Sequence, residues 1–388
     1  MNRIRPANSE IVPDETVPGG ADFGAGSLVP FTYDLPETRI AQRPVVPYDE
    51  ALLMVVERSA GTIRDSRFTA AAEEIRRGDL LVFNNTKVLP ARFFGAFRDE
   101  SGKAVGSLEV FLLRPDPISP AWRCIGRPLK KCRVGRILDF PRGLSARVIG
   151  KPSDEEIVVE FFVSEGLSPQ GSSLSPSGPS LEALMHEVGT MPIPPYIRDG
   201  VADEADRVDY QTMFAQHEGS IAAPTASLHF TPRLMDALKQ KGAQTECLTL
   251  HVGAASIRRV EREGVLQRPG PEKMVVPHQV LEQVRKTKAE KGRVIAVGTT
   301  VARALESAAR QEESSGQGGV AGDTDLFISP GFKFKAVDAL FTNFHQPGTT
   351  HLLLVEAFIG RELLERSYAR ALAGAYRFLS YGDGTLLV

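Results

Sequence analysis

The chain has 388 residues, 42% of them apolar and 24% charged, the proportions of an ordinary soluble globular protein, which exclude a largely disordered, collagenous or stapled mini-protein. Lys plus Arg total 46 against 48 Asp plus Glu, a net charge of −2, so no chain-wide basic field exists for unspecific nucleic-acid binding and any RNA contact must be local. Cys124, Cys132 and Cys247 have no C-x-x-C spacing, which indicates neither a disulfide framework nor a zinc knuckle and fits a reducing cytoplasm.

Residues 1–30 are rich in Pro, Gly and small residues and read as a flexible extension. Good helix formers from Ala70 to Arg77 run up to Gly78, which predicts a helix closed by a left-handed glycine. From Leu80 to Phe162 the short runs LLVF, SLEVFLL, WRCIG, RILDF, SARVI and EIVVEFF alternate with turn residues and predict a small barrel or sandwich. Inside it, Ala121–Arg136 carries Arg123, Arg127, Lys130, Lys131, Arg133 and Arg136 without one acidic residue. This basic hairpin either protects an edge strand or tracks phosphates.

Gly166–Ser180 reads as a Ser/Pro/Gly linker and Gln311–Asp323 as a second low-complexity loop. Thr231 is the expected N-cap of a helix that has Pro232 at its first position and ends at Gly242. A strand over Cys247–Val252 and a helix over His278–Lys291 follow. RVIAVGTTVARALESAARQ then predicts a buried strand, a tight turn and a helix. The strand DALFTNFH precedes one long helix from Thr350 to Tyr376. The longest apolar runs, such as Leu352–Val355, fall far short of the ~20 residues that span a bilayer. A soluble, unexported protein is expected.

P-loop, G-x-G-x-x-G, H-E-x-x-H and G-x-S-x-G signatures are absent. The turn Gly298-Thr299-Thr300 offers backbone N–H groups and two hydroxyls at a helix N-terminus, suited to a carboxylate or phosphate or simply a well-capped start. His229, His251 and His345 lie at strand ends or in polar loops near Thr225, Thr249 and Asn343. There an imidazole can move a proton or orient a ribose hydroxyl, or be merely structural. His345 and His351 lack carboxylate support for a metal.

Nine blocks go further: FTYDLPETRIAQRP (Phe31–Pro44), GDLLVFNNTKVLPAR (Gly78–Arg92), GTMPIPPYIR (Gly189–Arg198), DYQTMFA (Asp209–Ala215), GSIAAPTASLHFT (Gly219–Thr231), TLHVGA (Thr249–Ala254), AVGTTVARALES (Ala296–Ser307), DALFTNFHQPGTTHLLLVEAFIG (Asp338–Gly360) and YRFLSYGDGTLLV (Tyr376–Val388). In this order they resemble the S-adenosylmethionine:tRNA ribosyltransferase-isomerase (QueA) family of queuosine biosynthesis. The resemblance implies an α/β main domain (31–80 and 166–388) with a barrel-like sheet flanked by helices, plus a small inserted all-β barrel domain (81–165). It implies that S-adenosylmethionine donates its ribosyl carbons to 7-aminomethyl-7-deazaguanine in tRNA, giving epoxyqueuosine, adenine and methionine without a metal. A cytoplasmic monomer is expected.

On the matching positions, His229, His251 and Thr225 are candidates for proton transfer or adenine contact. Gly298, Thr299, Thr300 and Arg303 are candidates for the methionine carboxylate, and Asn343 and His345 for ribose or base. Tyr210, Asn84, Thr86, Lys87 and Arg92 would orient cofactor or target nucleotide, with Arg127, Lys130 and Lys131 on the substrate side. The sequence also departs from the family. Where Gly-Thr-Phe-x-Pro-Val and His-x-Met-His-x-Glu are usual, it has Ala255–Val260 and Gln267–Glu272, keeping only Glu272; Leu228 replaces a common Gly and Gln346 a usual Leu. Three readings follow: the tRNA enzyme with a drifted loop, a paralogue with a small-molecule acceptor or lyase activity, and a non-catalytic tRNA binder using the basic segment.

Overall fold

The structure is a computed structural model that describes residues 30–116, 121–163, 181–253, 261–262, 265–266, 270–315 and 318–388. The N-terminal extension 1–29, the linker 164–180 and most of the departures at 255–260 and 267–272 lie outside the described residues. In chain order the first strands are β1 (Leu52–Glu57), β2 (Thr62–Arg67), β3 (Leu80–Asn84), β4 (Thr86–Val88), β5 (Arg92–Arg98), β6 (Ala104–Pro115), β7 (Trp122–Arg127), β8 (Ile137–Asp139), β9 (Leu144–Gly150) and β10 (Ile157–Val163). Next come α1 (Leu181–Val188), α2 (Asp206–Asp209), β11 (His217–Ser220), α3 (Pro232–Gln240), β12 (Gln244–Leu250), β13 (Glu261–Arg262), β14 (Val265–Leu266), β15 (Glu272–Val276) and α4 (His278–Ala289). The chain closes with β16 (Val294–Val297), α5 (Thr299–Ser315), β17 (Val320–Thr324), β18 (Ala339–Asn343), α6 (Thr350–Ile359), α7 (Arg361–Ala373) and β19 (Gly384–Leu387).

A nine-stranded mixed sheet runs in the order β17-β15-β12-β3-β16-β18-β19-β1-β2, with parallel pairs among β12, β3, β16 and β18. Its central strands β3, β16 and β18 are buried at every position, as strands covered on both faces must be. Successive side chains of a strand point to opposite faces, and two cores follow from that alternation. Met54, Val56, Leu80 and Val82 pack on the α4–α7 side with Val301, Leu305 and Leu354. Leu53, Val55, Leu81 and Phe83 pack on the other, with Phe68, Phe230 and Leu234 of α3. Burying each such side chain stabilises the fold by roughly 1.5–3 kcal/mol.

Strands β5–β10 close a six-stranded antiparallel barrel in the order β10-β7-β6-β5-β8-β9. Its interior holds Phe93, Phe97, Val110, Leu138, Val148 and Val159. An α/β sheet with helices and a separate all-β barrel is thus the architecture. Among the described residues no helix is long and apolar enough to cross a membrane.

Five local expectations change. Gln311–Asp323, expected as a loop, supplies the last residues of α5 and most of β17. LLVF belongs to the centre of the large sheet, not to the barrel, because an apolar run alone does not tell which sheet recruits it. The barrel instead uses Arg92–Arg98, which the sequence reading left out. The segment expected as a helix from Ala70 is a 3₁₀ turn over Phe68–Glu74. The basic segment is no hairpin, since β7 pairs with β6 and β10 while β8 pairs with β5 and β9. The long C-terminal helix breaks into α6 and α7 at Gly360, whose φ of 81° no helix can continue. Thr231, in contrast, caps α3 as expected, its Oγ1 accepting from the Leu234 N–H at 3.3 Å.

Candidate active site

The carboxyl ends of β12, β3, β16 and β18 share one edge of the sheet, and in open α/β sheets that edge is where ligands bind. Each end carries a residue expected at the site: His251 follows β12, Asn84 ends β3, Gly298 follows β16, and Asn343 ends β18 with His345 two residues on. Between them lies a cavity of about 110 Å³. Tyr210, Thr225, Gly298, Thr299, Thr300, Asn343 and His345 line it, together with Tyr196, Phe344, Gln346, His351 and Ser380. A second cavity of about 20 Å³ shares Thr299, Thr300 and His351 with the first and adds Arg303, Leu326 and Leu354.

Gly298 has φ +101°, a conformation open to glycine, and this turn aims the start of α5 at the shared wall. Among the described residues, no Asp, Glu, Lys or Arg lines the larger cavity. Its histidines are neutral at pH 7. Burial holds His345 well below its ordinary value, with His351 adding to the effect. Burial and then Arg303 bring His351 to about 4. The two rings stack with centroids 4.9 Å apart, and His345 Nε2 meets Thr342 Oγ1 at 2.8 Å. Two buried polar atoms of residues that line these cavities have no hydrogen-bond partner: Thr300 Oγ1 and Arg303 Nη2. Buried polar groups are normally paired, so this concentration marks where a polar ligand fits.

The remaining expected residues are distributed around this centre. His229 is not among the lining residues; it is buried and stacked on Phe68 at 4.1 Å. His251 lies outside the lining, next to Val252, which is part of it. Its Nδ1 is 2.8 Å from Thr86 Oγ1, and its ring packs against Gly219. Burial, then Lys273 and His217, lower its pKa. Asn84 is fully buried and spends its amide on Leu250 N–H, Leu250 carbonyl and Thr86 N–H, so it shapes the strand ends without reaching the cavity. Lys87 pairs with Glu218 at 2.8 Å. Arg92 is committed to Glu109 at 2.7 Å and to the Gly200 carbonyl. On the barrel, Arg123 is tied to Asp116 at 3.0 Å and Arg127 approaches Glu109 at 3.8 Å, while Lys130 and Lys131 are exposed.

A family model described as queuosine biosynthesis protein matches residues 28–387. The chain belongs to that family. It is 42% identical over 359 residues to the S-adenosylmethionine:tRNA ribosyltransferase-isomerase of Parvibaculum lavamentivorans, covering 92% of this chain and 97% of that one. It is 43% identical over 355 residues to the enzyme of the same name from Geobacter metallireducens, covering 91% and 97%. A crystal structure of S-adenosylmethionine tRNA ribosyltransferase from Thermotoga maritima is similar with a TM-score of 0.51 and 34% identity, covering 92% of this chain and 99% of that one.

In this queuosine biosynthesis protein, two residues join the site that sequence reasoning left without a role. Glu272 binds Arg303 Nη1 and accepts from the Gly253 N–H at 2.9 Å. The signal for it was its survival in an otherwise replaced element. His351 lines both cavities; it lies six residues after His345, at the second position of α6, and was read only for metal ligation. Among the described residues no group of three or more His, Cys, Asp or Glu side chains could hold a metal.

The buried His229 makes this family member acid-sensitive. Burial lowers its pKa to about 4 against the opposing backbone of Tyr48 and side chain of Asn343. The unfolded imidazole binds its proton near 6.5, so stability is complete above that pH and falls as the pH drops through 6.5 toward 4. The full loss is about 3 kcal/mol from this residue. Urea unfolding at pH 7 and pH 4.5 should show a clearly smaller loss in His229→Gln than in the parent; equal losses in the two proteins would refute the assignment.

Proposed function

We propose that this chain is an S-adenosylmethionine:tRNA ribosyltransferase-isomerase. It transfers and isomerises the ribosyl group of S-adenosylmethionine onto 7-aminomethyl-7-deazaguanine in tRNA, forms epoxyqueuosine, and releases adenine and methionine. The observation that carries this reading is the cavity at the carboxyl edge of the sheet. Its wall is built from the family's sequence blocks, holds the buried unpartnered Thr300 hydroxyl and, among the described residues, has no Lys or Arg to repel a sulfonium.

A sulfonium acidifies the adjacent C5′ protons, so one positioned base can begin the reaction. His251 is the base in this reading: its ring is neutral at pH 7 and held by Thr86. Departing adenine needs a donated hydrogen bond to spread its developing charge, a task for the Thr225 hydroxyl in the same wall. Tyr210 and Tyr196 supply aromatic faces for the nucleoside. Lys130, Lys131 and Arg127 offer the tRNA backbone an exposed positive edge on the barrel. The protein works as a cytoplasmic monomer.

The decisive measurement is mass spectrometry of products after incubation with S-adenosylmethionine, with and without tRNA carrying the aminomethyl-deazaguanine. Adenine and methionine release coupled to an epoxyqueuosine mass is expected. Adenine release that ignores the tRNA would replace this reading with a changed acceptor or a lyase. No turnover with retained tRNA binding would replace it with a non-catalytic binder.

A further inference from the structure

We infer that Phe94, backed by Arg92 on the outer face of the barrel, is a stacking platform for an unpaired base of the substrate tRNA. That RNA is the substrate proposed above, on which the inference rests.

Strand alternation sends Phe93 and Phe97 of β5 into the barrel and leaves Phe94 on its outer surface. Phe94 is 47% exposed, and among the described residues it is the only exposed aromatic side chain. Leaving so large an apolar ring in water is unfavourable. The ring is nevertheless held in place, because the Arg92 guanidinium lies over it, 4.9 Å from its centroid. Arg92 is itself pinned: its Nε donates to Glu109 Oε1 at 2.7 Å and its Nη1 to the Gly200 carbonyl. The ring is thus presented already ordered, and little side-chain entropy is lost when a second plane stacks on it.

The surroundings favour RNA over an apolar partner. In register, Phe94 stands opposite Glu109 of β6, and Glu109 stands opposite Arg127 of β7. The three share the outer face, with Phe94 and Arg127 two strand spacings, about 10 Å, apart. Glu109 is neutralised from both sides, by Arg92 and by Arg127 at 3.8 Å. Arg127, with 69% of its side chain exposed, begins the basic run that continues through the exposed Lys130 and Lys131. An aromatic plane beside a cationic edge suits single-stranded RNA, with a base on the ring and phosphates on the cations. A protein partner would call for a contiguous apolar patch, whereas charged side chains border this ring. The platform also lies close to the cavity. Thr190 forms a bridge with Arg92 and Gly200 accepts from it, and the chain between Thr190 and Gly200 carries Tyr196, which lines the cavity. Gly200 is four residues from Tyr196 and therefore within about 14 Å of it. One RNA strand can place one base in the cavity and another on Phe94.

Fluorescence anisotropy with tRNA carrying the aminomethyl-deazaguanine tests the platform, alongside light scattering and titration with S-adenosylmethionine. Phe94→Ala is expected to weaken tRNA binding by about 5- to 150-fold, the range for losing one base–aromatic stack, and to leave S-adenosylmethionine affinity and Tm close to those of the parent. Phe94→Leu keeps apolar bulk without an aromatic face and should weaken binding as Phe94→Ala does, whereas Phe94→Tyr should bind like the parent. The slope of log Kd against log salt should be unchanged in Phe94→Ala and should fall by about 0.7 in Arg127→Ala, which loses a phosphate contact instead. Parental tRNA affinity in Phe94→Ala or Phe94→Leu, or no recovery in Phe94→Tyr, overturns the platform and leaves the proposed function standing. So does a Phe94→Ala protein that changes its oligomeric state with its tRNA affinity intact, which would give this face to a second copy of the chain. A parent protein that binds no tRNA overturns the proposed function, and the platform with it.

Discussion

Gly219→Ala is expected to lower turnover by about 100-fold while leaving S-adenosylmethionine affinity close to that of the parent, because a displacement near 1 Å of a reacting group has an effect of that order. Gly219 has φ +147°, and a Cβ built on it would lie 2.7 Å from His251 Nδ1 and 2.8–2.9 Å from two further ring atoms. Such contacts require the imidazole to move. Among the described residues the ring is held by its Thr86 contact and by packing, so it swings out of hydrogen-bond reach of Thr86 rather than shifting the backbone of β11. The strained backbone adds about 1–3 kcal/mol of destabilisation, which thermal unfolding separates from the kinetic effect. His251→Gln should give a comparable fall in kcat. Full turnover in Gly219→Ala, with the ring shown to be displaced, would remove His251 from the chemistry.

Glu272→Ala is expected to destabilise the protein by about 3–5 kcal/mol, the usual consequence of leaving one partner of a buried ion pair behind. The Glu272 side chain is 1% exposed and that of Arg303 10%. Truncation strands the guanidinium and also removes the acceptor of the Gly253 N–H. Glu272→Gln keeps an acceptor and the shape, so it should lose markedly less stability. Urea unfolding of both variants is the check on stability, and a Glu272→Ala protein as stable as the parent would show that the pair contributes nothing.

Much of this site was legible in the chain. The strand–turn–helix over Arg293–Gln311 and the Asn343-Phe344-His345 strand end were visible as apolar runs stopped by polar residues, and the structure brings Gly298, Thr299, Thr300, Asn343 and His345 around one cavity. The Thr231 cap was readable because capping is a local bond between residues three apart. Asn84 was read as a ligand contact, yet its amide is consumed by Leu250 and Thr86. A sequence gives the donors and acceptors of a side chain but not who has already taken them. Arg92 and Lys87 differ from expectation for the same reason, since Glu109 and Glu218 reach them across strand pairs.

What the sequence determined by itself was local or carried by whole blocks: the family, the Thr231 cap, the strands at β16 and β18 and the identity of the polar groups near the strand ends. The tertiary structure alone decided which sheet took Leu80–Asn84, that His229 is stacked and buried, and that Glu272 braces Arg303. Those outcomes depend on burial and on partners 31 or more residues away, as the Glu272–Arg303 bond is. Desolvation and long-range pairing are properties of packing, and packing is fixed only when the strands have found their neighbours.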